Sequence, residues 1–70
     1  MSKELPFIIL CIEEYKNAKA MTGGEVVDLF NKYSVFEYIK LFYDVLHTTG
    51  MKYMINDIDE YIAHRNASTQ

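Results

Sequence analysis

Apolar positions recur at three-and-four spacing through most of the chain, the signature of helices that each bury one face. The clearest stretch is residues 34–50. Val35, Ile39, Phe42, Val45 and Leu46 fall on one face there, and Phe36, Leu41 and Tyr43 widen it. A helix apolar over more than half its circumference needs neighbours on two sides. Ser34 followed three residues later by Glu37 predicts a capping box and a helix start near 34–35. Thr48-Thr49-Gly50 predicts its end, two β-branched residues weakening the helix before a glycine free to turn left-handed.

The same spacing predicts a first helix from residue 5, with Pro6 tolerated in its opening turn and Tyr15 and Ala18 extending the Ile8–Ile12 stripe. Thr22 with Glu25 makes a second capping box. The glycines at 23 and 24 let the chain reverse there, into a helix whose inner face is Val26, Val27, Leu29, Phe30 and Tyr33. Residues 51–55 fit either a helix continuing through Met51, Ile55, Ile58 and Ile62 or an extended connector. Asn56, followed by Asp57 and Asp59, resembles an N-cap with an acidic first turn and favours the connector. The expected architecture is a single all-α domain over residues 1–70, with four helices at about 5–20, 23–33, 35–48 and 56–65. Its ordered core spans about 4–65, and residues 66–70 form a frayed polar tail.

Half of the 70 residues are hydrophobic, enough for a core, but a chain this short keeps a thin stability margin. Ten acidic against seven basic residues leave a charge of −3 with no cationic cluster, so nucleic acid and anionic membranes are poor partners. Cys11, the single cysteine, excludes an internal disulfide and reads as a small buried hydrophobe. The longest apolar run, residues 7–12, is too short to span a membrane and lacks a cleavage site. The expected location is therefore the cytoplasm.

Candidate chemistry concentrates late in the central helix. Asp44 and His47 share a face, the spacing of an acid–imidazole pair or of two metal ligands that Asp57, Asp59 and His64 could complete. A metal site needs three or four ligands and only this pair has a fixed spacing, so the reading favoured is a histidine that pins the helix end. No metal, cofactor or catalytic residue is expected. There is no phosphate loop and no activated nucleophile, which argues against an enzyme. The tight junction before the central helix invites a helix-turn-helix reading, but Glu37, Lys40 and Asp44 offer no arginine or asparagine for a base edge. Six tyrosines and four methionines are more than four short helices can bury. Tyr38, Met51, Tyr53 and Met54 are the expected surplus, and with Tyr43, Asp44 and His47 they mark a candidate protein-binding surface. The partner would be another protein, or a second copy of the chain in a homodimer.

Four blocks carry a family likeness. Cys11-Ile12-Glu13-Glu14-Tyr15-Lys16, Thr22-Gly23-Gly24-Glu25-Val26 with Leu29-Phe30, Tyr43-Asp44-Val45-Leu46-His47-Thr48, and Asp57-Ile58-Asp59-Glu60-Tyr61-Ile62 resemble a family of short bacterial proteins known as a domain of unknown function. The likeness covers nearly the whole chain, and the Tyr-Asp-x-Leu-His-Thr block is its most specific part. It assigns no activity. It implies an antitoxin or accessory partner of a toxin-like protein, of the ADP-ribosyltransferase kind.

Overall fold

Phe30 is the fully buried centre on which the helices converge. Tyr15 meets its ring edge-on at 5.2 Å and Phe36 at 5.6 Å. In the computed structural model, which describes residues 3–68, these rings belong to three successive helices: α1 (Glu4–Lys19), α2 (Gly23–Lys32) and α3 (Val35–Leu41). A single-turn helix, α4 (Tyr43–Leu46), and a long one, α5 (Met51–Ser68), complete the chain. No strand occurs among the described residues. The expected all-α domain is therefore present, with four helices of seven residues or more.

Each helix contributes one stripe to a common core. α1 supplies Phe7, Ile8, Cys11 and Tyr15, spaced to share a face; α2 supplies Val26 and Phe30; α3 supplies Val35 and Ile39. Leu46 of α4 and Met54 and Ile58 of α5 close it.

The turns differ from expectation in instructive ways. The Thr22–Glu25 capping box forms: Thr22 Oγ1 accepts from the Glu25 N–H at 3.2 Å, and Glu25 Oε1 accepts from the Thr22 N–H at 2.8 Å. The reversal before it is made by Ala20 (φ 54°), not by the glycines, neither of which has a positive φ. The Ala20 and Met21 N–H groups both donate to the Lys16 carbonyl, a left-handed helix stop. Ser34 likewise adopts φ 58° and makes no side-chain cap, so the box expected with Glu37 is absent. Only Tyr33 and Ser34 separate α2 from α3, and a corner that tight needs a left-handed residue. An N-cap side chain reaches its target only from extended backbone, so Ser34 cannot serve both roles.

Two helix boundaries also move. The expected helix 35–48 is interrupted at Phe42 (φ −106°, ψ 21°), and Gly50 does not turn left-handed. The last helix starts at Met51 rather than 56, so residues 51–55 are helical and Asn56 is an exposed interior position. Burial explains it: Met54 and Ile58, four apart, are both fully enclosed, and tertiary packing outweighs the weak cap signal of Asn56. Residues 66–68 of the expected frayed tail continue α5; residues 69–70 lie outside the described range. Among the described residues, no helix is long and apolar enough to cross a membrane.

Candidate interaction surface

α4 is short, and its end is held by backbone and side chains together: the Tyr43, Val45 and Leu46 carbonyls accept from the His47, Thr48 and Thr49 N–H groups at 3.0, 3.2 and 3.2 Å. The side chains of the same three residues add a second bond to each carbonyl. His47 Nδ1 donates to the Tyr43 carbonyl at 2.6 Å, Thr48 Oγ1 to that of Val45 at 2.8 Å, and Thr49 Oγ1 to that of Leu46 at 2.9 Å. Because a carbonyl only accepts, Nδ1 carries a proton in this contact. The His47 ring also stacks on Tyr43, centroids 4.3 Å apart and planes within 3°. The polar half of the Tyr-Asp-x-Leu-His-Thr block thus serves the backbone of its own turn.

Tyr43 has a second contact, edge-on to Phe7 at 5.6 Å, which seats α4 against the start of α1. Lys3 reinforces this seat, lying over the Tyr43 ring and 3.8 Å from Asp44. Asp44 is thereby directed to Lys3, away from any pairing with His47. The carboxylate of Asp59 is taken up by Tyr15 and Lys19. Among the described residues, no three His, Cys, Asp or Glu side chains gather where they could hold a metal ion. The ligand set Asp44, His47, Asp57, Asp59 and His64 is not brought together.

The interruption at Phe42 changes the rotational phase of the helix, and residues expected on its inner face emerge outside. Leu41 is 76% exposed, Val45 61% and Phe42 44%. Together they rim the seat of α4 with apolar surface. Of the other proposed surface residues, Tyr53 is exposed, Tyr38 and Met51 are half-buried, and Met54 lies fully in the core. Met54 therefore cannot contact a partner. Sequence reasoning passed over Leu41, Phe42 and Val45 by counting them as core, and Leu5, Ile9 and Leu10 on α1 are exposed as well. A signal for the α1 positions was present: six consecutive apolar residues at 7–12 cannot all face one side of a helix.

Of the two tyrosines expected as surplus, Tyr53 is exposed and Tyr38 is engaged, while Tyr33 and Tyr61 tie α5 to the earlier helices. Tyr33 Oη donates to Asn66 Oδ1 at 3.1 Å, and Tyr61 Oη to the Ser34 carbonyl at 3.3 Å, so α5 is pinned to the left-handed corner between α2 and α3. Tyr38 stacks on Tyr61 at 4.2 Å and tilts against Phe42 at 5.1 Å. Burial, then the nearby carboxylates of Asp57 and Glu60, push the Tyr38 phenol above its ordinary range.

Residues 6–65 match the model of a family described as protein of unknown function (DUF3791). No curated protein matches the chain. No solved structure matches it either.

Proposed function

The chain belongs to the DUF3791 family of proteins of unknown function, and from that premise we propose that it is a protein-interaction module whose contact surface is centred on the α3–α4 junction. One observation carries this reading: Leu41, Phe42 and Val45 stand exposed and close in sequence, on a segment whose histidine and threonine side chains are spent on its own turn. Exposed apolar side chains grouped on one segment mark where soluble proteins meet partners. Histidine and threonine caps hold the backbone beneath it in one conformation, which lowers the entropy lost on binding. An antitoxin or accessory partner of a toxin-like protein, the role implied by the family resemblance, is one form such a module would take.

The helix-turn-helix alternative draws no support from the surface. The exposed polar side of α3 carries Glu37 and Lys40, and the tight α2–α3 corner is occupied by contacts from α5.

Affinity capture of the tagged chain from its native cells, beside a Leu41→Lys, Val45→Lys variant, tests the reading. One stoichiometric protein held by the parent and lost by the variant is the expected result. Recovery of nucleic acid alone, or of the same proteins by both chains, would overturn it.

A further inference from the structure

Four of the six tyrosines carry a cation of their own chain over the ring. Lys3 lies 5.5 Å from the centroid of Tyr43, Lys19 5.6 Å from Tyr15, Lys32 5.4 Å from Tyr33 and Arg65 5.8 Å from Tyr61. Among the described residues, Tyr38 and Tyr53 have none. Asp57 and Glu60 are alike in lacking an ion pair there, whereas Asp59, which lies between them in sequence, is paired with Lys19.

These uncovered groups share one face. Tyr53, Asp57 and Glu60 are spaced four and three apart, which aligns them along α5. Tyr61, one turn after Asp57 and next to Glu60, stacks on Tyr38, so this side of α5 borders α3. Leu41 and Phe42 extend the same side of α3 outward, with Tyr53 itself 69% exposed. The result is an aromatic and aliphatic face edged by two unpaired carboxylates. Arg65 lies over Tyr61, so a ring of this stack already carries a guanidinium.

We propose that the α3–α5 face formed by Tyr38, Leu41, Phe42, Tyr53, Asp57 and Glu60 binds a basic amphipathic segment of a partner protein, its lysine or arginine seated on the exposed Tyr53 ring beside Asp57 and Glu60. Aromatic faces attract cations through the ring quadrupole, and adjacent carboxylates add a charge-assisted hydrogen bond. The apolar side chains of the same segment cover Leu41 and Phe42, and the net charge of −3 steers such a partner inward. The assignment rests on the interaction-module reading and names the chemistry of its partner.

A labelled amphipathic peptide of leucine and arginine, about four helical turns long, is titrated into the full chain by NMR, beside a leucine–glutamate counterpart. Shifts confined to residues on this face are expected, with affinity falling as salt rises and about tenfold weaker in Asp57→Asn, Glu60→Gln. Circular dichroism checks that the double variant keeps its helices. Absence of peptide binding, equal binding by the variant or by the acidic peptide, or shifts centred elsewhere would each overturn the assignment. In the capture experiment, a stoichiometric partner that the double variant retains in full would overturn it while leaving the module reading in place. No captured protein together with no peptide binding would overturn both.

Discussion

Tyr15 Oη donates to Asp59 Oδ1 at 2.6 Å across 44 residues of chain, and Lys19 Nζ holds the other oxygen of the same carboxylate at 2.5 Å. α1 and α5 are thus joined by a polar clamp at the edge of the core. A part-buried hydrogen bond to a charged acceptor contributes about 1–2 kcal/mol. Tyr15→Phe should lower stability by about that amount, equivalent to about 4–8 °C in Tm per kcal/mol for a domain of this size. Asp59→Ala should cost more, since it strands the Tyr15 hydroxyl. Urea unfolding followed by circular dichroism reads both, and an unchanged midpoint in Tyr15→Phe would show that the clamp is not stabilising.

The protein should lose stability on the alkaline side. Burial pushes the Cys11 thiol from 9.0 up to about 12. Burial and then the hydrogen bond to Asp59 push the Tyr15 phenol upward from 10.0. Both pKa values are raised by folding, so the unfolded chain releases these protons first. Their stabilising effect is complete below about pH 9 and declines as pH rises from there, by at most about 1.4 kcal/mol per group per pH unit. Urea midpoints measured between pH 8 and pH 11 should fall, with a shallower decline above pH 10 in Tyr15→Phe. A flat profile would contradict the burial of both groups.

Two hinges hold side chains in backbone conformations that favour glycine. Ala20→Gly relieves a φ of 54° at an exposed position and should stabilise by about 0.5–1 kcal/mol. Gly24→Ala, where a new Cβ meets nothing within 4 Å and φ is not positive, should gain a similar amount by restricting the unfolded chain. Ala20→Val should move the other way. Thermal melts of the three variants, ordered as stated, check the hinge geometry.

The exposed and enclosed members of the proposed surface should separate cleanly. Leu41→Lys and Val45→Lys should change stability by no more than about 0.5 kcal/mol, because both side chains already face water. Met54→Ala should cost about 2–4 kcal/mol, since Met54 fills the core. If Met54→Ala proves neutral, α5 does not dock as described.

For His47, the bond to the Tyr43 carbonyl requires a proton on Nδ1. Long-range proton–nitrogen NMR at neutral pH should show it. His47→Ala should cost about 0.5–1 kcal/mol through the loss of this contact and of the stack on Tyr43.

Much of α1 and α2 was legible in the residues themselves, because their signals are local. Thr22 and Glu25 satisfy each other's backbone within three residues, and Phe30 follows Val26 at helical spacing. The break at Phe42 has no local mark: no glycine or proline stands there, and the helix yields instead to the seat that Phe7 and Lys3 offer Tyr43 and Asp44. The early start of α5 was hidden for the same reason. Asn56 and Asp57 look like a helix beginning until Met54 and Ile58 are seen to fill one core. The His47 contact was legible as a helix-end pin, but the exposure of Leu41, Phe42 and Val45 depends on a phase shift that periodicity assumes away.

The side-chain hydrogen-bond partners of α5 lie 27 to 44 residues before it, while α1, α2 and α3 are neighbours joined by two- or three-residue turns. During synthesis the first three helices therefore leave the ribosome well ahead of the helix that carries Met54 and Ile58. Until α5 follows, the faces those two side chains will cover are open to water. The nascent chain passes through an interval in which it displays more apolar surface than the finished protein, and chaperones or a waiting partner would meet it then.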